Sequence, residues 1–522
     1  MSGEGRLTPE VRAVAIVVIV GAVMSILDTT IVNVALETLS RELHAPLSTI
    51  QWVSTAYLLS LATVIPLTGW AAERFGPKRV WMWAVAAFAT TSALCGAAWS
   101  ADALIAFRVL QGIAGGMIMP IGMITLAQAA GPERMGRVMS VVGVPMLLAP
   151  VLGPVLGGLI VDTLSWRWIF FVNLPIGAAG LILAARLMPA ERAEGRAGGT
   201  AKLDRRGLAL LSPGVALVVY GLSEIASSAS FDLVHAVAPL VAGSLLVIAF
   251  GVHAWRIEYP LVEVRLLSGL GFGAAAMTMF LVGAALFGGM LLLPLYYQVA
   301  RGLSPLQAGL LVAPQGVGAA IAMHFSGRLT DRIGGGPVVL SGLGVLALGT
   351  LPFTQVGTST PYWTLVVALA VRGVGLGFTM MPAMASAYAL LQRHQVPRAT
   401  PMLNVLQRVG GSIGVAVLAV VLERQLRGAH GPTEVATAFA NTYWWSLALV
   451  LVAVIPATLL VLEQRKTRAR ARRAMPFHGS PCACTRLTTL CTSQRSGRSL
   501  PSDSSSQCSG VATGAFGFAR TE

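Results

Sequence analysis

The sequence predicts an all-α membrane protein of fourteen transmembrane helices, arranged as two six-helix bundles with an inserted helix pair. Composition is the first reason: the 522 residues are 55% hydrophobic and 11% charged, whereas soluble domains carry roughly 25% charged residues. Apolar runs close to the ~20 residues that a membrane helix needs recur along the chain. Basic residues also collect in alternate connections between those runs, which is typical of multi-pass membrane proteins.

The predicted spans are separated mostly by short connections, so that neighbouring helices must be antiparallel. They are 12–36, 49–72, 80–99, 103–130, 138–161, 168–188, 207–227, 235–255, 271–297, 304–325, 336–356, 362–391, 401–422 and 443–462. We divide the chain into four parts. These are the first bundle 1–188, the linker and inserted pair 189–255, the second bundle 256–463, and a basic, Ser-rich tail 464–522 that we expect to be disordered.

The distribution of basic residues predicts the orientation. With the N-terminus inside, inside segments before the tail hold 19 Lys and Arg, outside segments hold five, and the tail adds ten inside. Three further arginines, Arg108, Arg372 and Arg408, fall within spans and are predicted to be buried. The pattern favours a plasma membrane protein with both termini in the cytoplasm. It also argues that the net charge of +15 does not indicate nucleic-acid binding.

A carboxylate lies within the first span. Asp28 shares one helical face with Ser25, Thr29 and Asn33, because these residues follow helical spacing. An acid at this depth costs roughly 2.5–3.5 kcal/mol on insertion scales, so that function is the default hypothesis. The alternative is a polar stripe that only holds neighbouring helices together. We favour function, because a carboxyl group can carry a proton.

An internal repeat divides the spans. The turns after predicted spans 2 and 10 both read Gly-x-x-x-acid-Arg-apolar-Gly, and spans 4 and 12 each carry a buried Arg, Arg108 or Arg372, followed by several glycines. Each turn alone could be an ordinary charged connection, but recurrence at an offset near 260 residues indicates duplicated halves around a central site. The motif residues are Gly69, Glu73, Arg74, Gly76, Lys78, Arg79, Gly327, Asp331 and Arg332.

Predicted span 5 carries a second pattern. Ala149, Gly153 and Gly157 form a seam of small residues that permits close helix contact. Pro150 and Pro154 interrupt the helical hydrogen bonds and should bend this helix. Taken alone, the pattern could be an ordinary packing kink.

Together these stretches resemble the fourteen-helix drug:proton antiporters of the major facilitator superfamily, the EmrB/QacA type. The resemblance covers roughly residues 11–462, and Glu37 and Glu73 depart from the family's usual Pro and Asp. The matching stretches are 27–36, 69–79, 108–116, 149–158, 166–177 and 294–314.

The resemblance implies the major facilitator fold and proton-coupled export of amphipathic small molecules (drugs, dyes, antibiotics) by alternating access. It assigns proton coupling to Asp28 and Arg108, an outward-open latch to the repeated turns, and the export motif to span 5. The motif residues there are Pro150, Gly153, Pro154, Gly157 and Gly158. For Arg108, a purely structural alternative is a guanidinium tied to backbone carbonyls or to another helix.

Polar and aromatic residues in several spans are candidates for the substrate cavity, although aromatic residues in such positions are ordinarily interfacial. The candidates are Thr29, Asn33, Trp52, Tyr57, Gln111, Gln298, Gln315, Asn404 and Gln407.

The alternatives to a drug exporter are a dedicated exporter of one endogenous metabolite or self-made antibiotic and, less favoured, a membrane-embedded enzyme or sensor. We expect no enzymatic activity, cofactor or metal, since the chain has no P-loop or Gly-x-Ser-x-Gly motif and its tail cysteines match no zinc spacing. The expected partners are a small-molecule substrate, protons and the lipid bilayer. We also expect a monomeric unit in the bacterial inner membrane, with a periplasmic adaptor if the cell has two membranes.

Overall fold

The computed structural model describes residues 8–131, 134–188, 202–228, 232–392, 394–427, 429 and 431–474. All of the regular structure in these ranges is helical. The helices are α1 Pro9–Glu42, α2 Leu47–Val64, α3 Thr68–Phe75, α4 Pro77–Gly96, α5 Ala101–Ala130, α6 Met135–Thr163, α7 Trp168–Phe171, α8 Asn173–Leu187, α9 Arg205–Ser228, α10 Ala238–Arg256, α11 Leu270–Leu295, α12 Pro305–Ile333, α13 Gly335–Thr350, α14 Tyr362–Ala389, α15 Val396–Leu426 and α16 Pro432–Ala474.

Twelve helical segments of the described chain are long and apolar enough to cross a bilayer, and they coincide with twelve of the predicted spans. The other two predictions, 80–99 and 138–161, fall on α4 and α6, which are helical but are not among the twelve. Helix α4 carries Lys78 and Arg79 in its first turn, which lowers its apolar character. The chain is therefore a multi-pass helical membrane protein, and the count of fourteen spans stays a prediction.

The boundary of the predicted tail was placed too early. Helix α16 continues through Ala474, and Gln464 belongs to the folded part because its side-chain Oε1 accepts a hydrogen bond of 2.9 Å from the Gly336 N–H. Two compact units divide at Arg468, and of the second only residues 469–474 are described. Tail residues 475–522 and most of the predicted linker, residues 189–201, lie outside the described residues.

Packing within the larger unit repeats. Helix α1 packs against α6 and α5, and α5 packs against α2 and α4. In the same way α11 packs against α15 and α14, and α14 packs against α12 and α13. The order of the contacts thus recurs, as expected for duplicated halves. We call α1–α8 the first bundle and α11–α16 the second bundle.

The packing between the two bundles differs between the two ends of the transmembrane helices. We call the end where α1 begins face A and the end where α1 ends face B. Towards face A one continuous apolar core joins the bundles and contains, for example, Val14, Met139, Met323 and Leu403. Towards face B the buried apolar residues divide into separate clusters, one around Leu39 in the first bundle and others in the second bundle and the inserted pair. The apolar contact between the bundles is therefore continuous at face A and divided into separate clusters towards face B.

The inserted pair lies at the seam between the bundles. Helix α9 packs against α10, against α2 of the first bundle and against α15 of the second. Near face B the rings of Trp52 and Tyr220 stack with their centroids 6.0 Å apart. Trp52, a predicted cavity residue, therefore helps to attach the inserted pair to the first bundle.

The repeated turns have the same backbone conformation in both halves. Gly76 has φ 87° and ψ 139°, and Gly334 has φ 91° and ψ 155°. Residues with a side chain rarely adopt this combination, so glycine is required for the tight connection from α3 to α4 and from α12 to α13. The backbone geometry therefore accounts for Gly76 and Gly334 even if these turns do not act as a latch.

Candidate functional site

The Asp28 carboxylate lies at the centre of a buried polar network in the first bundle. Arg108 Nη1 donates to Asp28 Oδ2 at 2.6 Å, while Gln111 Nε2 and Asn173 Nδ2 donate to Asp28 Oδ1 at 2.9 and 2.8 Å. Asp28 and Arg108 are each 1% exposed. Helices α1, α5 and α8 thus each contribute to the network, and three donors around one carboxylate suit its ionised form.

Arg108 is held from several directions. Its Nε donates to the Val53 carbonyl at 3.1 Å, and Nη1 also donates to Gln111 Oε1 at 2.7 Å. The guanidinium carbon lies 4.0 Å from the centroid of the Tyr57 ring, within range of a cation–π interaction. Both the expected acid pairing and the alternative carbonyl contact are therefore present, and the guanidinium is fixed beside the carboxylate.

The small-residue seam of α6 contacts α1 immediately after Asp28. A Cβ added at Gly153 would collide with the side chain of Thr30, and one at Gly157 would lie 3.2 Å from the Ile31 carbonyl oxygen. A Cβ at Gly158 would meet nothing within 4 Å. The side chains of Pro150 and Pro154 lie outside the described residues. The seam therefore lets α6 approach the segment of α1 that carries the acid.

The predicted cavity residues divide into two groups. Tyr57 and Gln111 are fully buried around Arg108, and Gln315 is 8% exposed and accepts a hydrogen bond from Arg372, so that these three support buried arginines. The others are at least partly accessible: Thr29, Asn33, Trp52, Gln298, Asn404 and Gln407. Among them Asn33 is exposed and accepts a hydrogen bond of 3.1 Å from Ser54.

Arg408, the third arginine within a predicted span, is less completely buried than Arg108 and Arg372. Its side chain is half-buried, and it forms no hydrogen bond or ion pair with the described residues. Tyr57 of the first bundle lies within electrostatic range of it. Arg408, on α15, therefore presents a positive charge between the bundles.

Ion pairs connect the bundles at face A. Glu73 accepts two hydrogen bonds of 3.0 Å from Arg398 Nε and Nη2. In the other half of the repeat, Asp331 Oδ2 lies 3.8 Å from Arg137 Nη2. Each motif acid thus pairs with an arginine near the start of a helix in the opposite bundle, where the helix dipole also favours a negative charge.

Sequence reasoning missed Asn173, Arg398 and Arg137. Asn173 is a single buried amide within one of the family-like stretches, and its isolation among apolar residues was a usable signal. The two arginines looked like ordinary positive residues of connections, and their partners are far away in sequence. No local pattern could have found those pairs.

Two duplicated helical bundles, with a buried ion pair within the first, are typical of secondary transporters of the membrane. The comparison with known families agrees. The family model described as Major Facilitator Superfamily matches residues 18–415 and 275–495, and the chain belongs to this family.

Proteins similar to this chain in sequence include multidrug resistance proteins. The chain is 42% identical over 423 residues to the multidrug resistance protein B homolog of Mycobacterium tuberculosis (strain H37Rv), which covers 80% of this chain and 78% of that protein. It is 31% identical over 422 residues to the methylenomycin A resistance protein of Streptomyces coelicolor, with 79% and 86% covered.

Solved structures share the fold. The human organic anion transporter MFSD10 matches with a TM-score of 0.58 at 20% identity, covering 86% of this chain and all of that one (100%). The proton:xylose symporter XylE matches with a TM-score of 0.59 at 14% identity, covering 85% and 94%. The chain is a major facilitator transporter and not an enzyme.

The network predicts a specific pattern of stabilities. Asp28→Asn leaves Arg108 buried without a counter-charge, which should cost about 3–5 kcal/mol of folding free energy. Adding Arg108→Met to Asp28→Asn removes the isolated charge, so the double variant should melt at a higher temperature than Asp28→Asn alone. Thermal unfolding of the detergent-purified proteins measures both.

Glu423 supplies the matched control, because it pairs with Arg427 at 3.7 Å with both side chains well exposed. Glu423→Gln should change the melting temperature little. A double variant that is no more stable than Asp28→Asn would show that the ion pair does not govern stability here.

Proposed function

We propose that this protein is a proton-coupled antiporter that exports amphipathic small molecules, such as drugs, dyes or antibiotics, by alternating access. It would belong to the fourteen-helix drug:proton antiporters of the EmrB/QacA type. The observation that carries the proposal is the Asp28 carboxylate, which is buried in the first bundle and ion-paired to Arg108. The names of the multidrug resistance relatives support the substrate class.

Proton coupling requires that Asp28 change its protonation state during the cycle. Protonation removes the charge attraction between Asp28 and Arg108, and the guanidinium is then held only by Val53, Gln111 and Tyr57. The α6 seam packs against α1 at Thr30 and Ile31, directly after Asp28, and α6 in turn packs against α12 of the second bundle. A movement of α1 that follows protonation of Asp28 would therefore also move α6. The coupling route is thus α1, α6 and then α12.

The energy supply is sufficient. At ~100 mV, one entering proton releases about 2.3 kcal/mol. A tenfold gradient of a neutral substrate costs about 1.4 kcal/mol. One proton per substrate therefore supports a gradient of a few tens-fold.

Closure at face A fits an outward-open conformation if face A is cytoplasmic. The pairs Glu73–Arg398 and Arg137–Asp331 would then be the latch, and they must break when the cleft opens inwards. Partly exposed ion pairs contribute only about 0–1 kcal/mol each. A latch of this strength holds a conformation without trapping it.

The distribution of Arg and Lys supports face A as cytoplasmic, in a bacterial plasma membrane with both termini inside. A single cysteine at Asp232, between α9 and α10, should react from outside in a background without the five native cysteines. A matched cysteine at Glu258, after α10, should react only after permeabilisation. The reverse pattern would contradict this orientation.

A second candidate is a dedicated exporter of one self-made metabolite or antibiotic. It is favoured by the methylenomycin A resistance relative and by Arg408, which has no ion-pair partner among the described residues and would suit an acidic group on one kind of substrate. A panel of dyes and antibiotics tested for efflux separates the candidates, since a dedicated exporter would move one compound class only.

The transport test uses proteoliposomes with an imposed pH gradient and ethidium as the dye. Wild type should accumulate the dye against its gradient, and Asp28→Asn should lose this uphill movement because its amide cannot titrate. Substrate exchange without a pH gradient should be retained by Asp28→Asn if the variant folds.

Asp102→Asn is the control, because it makes the same chemical change, from a carboxyl to an amide, at an exposed residue in the first turn of α5. Uphill transport by Asp28→Asn at the wild-type rate would remove Asp28 from the coupling mechanism.

A further inference from the structure

The two bundles treat their equivalent buried arginines differently. Arg108 on α5 faces the Asp28 carboxylate on α1, whereas Arg372 on α14 faces Gly289 on α11. A Cβ added at Gly289 would collide with Arg372 Nη2 and lie 2.8 Å from its guanidinium carbon. Since α11 packs against α14 as α1 packs against α5, Gly289 occupies the place of the acid in the first bundle. The second bundle thus has the buried arginine without an acid beside it.

Arg372 is left with unused hydrogen-bond donors. It is 1% exposed, and no carboxylate of the described residues reaches it. Its Nη1 donates to Gln315 Oε1 at 2.6 Å and its Nη2 to the Ala285 carbonyl at 3.4 Å, while Nε has no partner among the described residues. Both acceptors are neutral, so they satisfy hydrogen bonds without balancing the charge. A buried charge without a counter-charge is strongly unfavourable.

Buried hydroxyl groups near Arg372 are also without partners. The Tyr443 hydroxyl on α16 has no hydrogen-bond partner among the described residues and lies within electrostatic range of Arg372. The Tyr297 hydroxyl is likewise unpaired and lies within electrostatic range of Tyr443. Buried polar atoms without partners are rare in folded proteins. Here a guanidinium N–H and two hydroxyl groups, all able to donate, occur in one region of the second bundle.

We propose that Arg372 binds a small monovalent anion of the halide class, with Arg372 Nε and the Tyr443 hydroxyl as donors. The anion supplies the negative charge that Asp28 supplies in the first bundle. A water molecule would satisfy the donors but leave the charge uncompensated, and the burial of Arg372 excludes a large substrate. On the proposed function, Asp28 loses its charge during the cycle, whereas a bound halide does not take up a proton, so the charge balance at Arg372 would not change with the cycle. This site is independent of the substrate.

The first test measures thermal unfolding of the detergent-purified full chain in chloride and in gluconate at constant ionic strength. Chloride should raise the melting temperature of wild type to a saturable plateau, because a ligand that binds only the folded state stabilises it. Arg301→Gln should retain this shift, since Arg301 is a half-buried arginine that already donates to the Gly357 and Thr360 carbonyls. Equal melting of wild type in both salts would overturn the proposal, as would loss of the shift in Arg301→Gln.

The second test replaces the bound anion with a carboxylate of the protein itself. Gly289→Asp places a carboxylate beside Arg372, and the flexible guanidinium can shift to accommodate it. This variant should melt in gluconate as wild type does in chloride and should no longer respond to chloride. Arg372→Gln should also lose the chloride response, which keeps the test decisive if Gly289→Asp does not fold.

Crystals grown in bromide locate the ion directly. An anomalous peak within hydrogen-bond distance of Arg372 Nε in wild type, absent in Arg372→Gln, is the expected result. A chloride shift without a peak at Arg372 would overturn the assigned position. Density there that has no anomalous signal, as for water, would overturn the anion.

Discussion

The structure depends on the ion pair between Asp28 and Arg108. Each charge alone would be strongly unfavourable inside a membrane protein, and each makes the other acceptable. The pair fixes α1 against α5, and Asn173 extends the same network to α8. Helix α6 packs on α1 directly after Asp28 and also packs against α12 of the second bundle. The ion pair therefore lies next to the helix that connects the two bundles. Asp28 therefore lies on a helix that contacts both the core of the first bundle and the helix that packs against the second.

The internal repeat shows which features the fold needs and which belong to one half. Both halves keep the glycine turn with positive φ, the acid that pairs with an arginine of the other bundle, and an arginine buried in the fourth span of the half. These features hold the bundles together at face A and pack their interiors. Only the first half keeps the acid beside its arginine, with Gly289 in the corresponding place of the second. Among the described residues, the buried pair of an acid and an arginine is therefore confined to the first bundle.

The sequence predicts features that are periodic and features whose burial is energetically unfavourable. The apolar runs predicted the helices, and the unfavourable free energy of burying Asp28 and Arg108 within such runs indicated the site. The sequence could not predict that Glu73 pairs with Arg398, because they are 325 residues apart and the pairing depends on how the bundles meet. Gln111 and Gln315 were predicted as cavity residues because a polar residue within a span can face either a cavity or a buried charge, and here each accepts a hydrogen bond from a buried arginine. The tail was predicted to begin at residue 464 because the basic residues that follow resemble a disordered segment, yet the Gln464 side chain accepts a hydrogen bond from the Gly336 N–H.

Infrared difference spectroscopy of the protein in liposomes, recorded while pH is varied, tests the central claim most directly. If Asp28 carries the proton, wild type will show the carbonyl band of a carboxylic acid that appears with protonation, and Asp28→Asn will lack that band. Asp102→Asn should retain it, since that carboxyl lies apart from the network. An identical set of titrating carboxyl bands in wild type and Asp28→Asn would contradict the account.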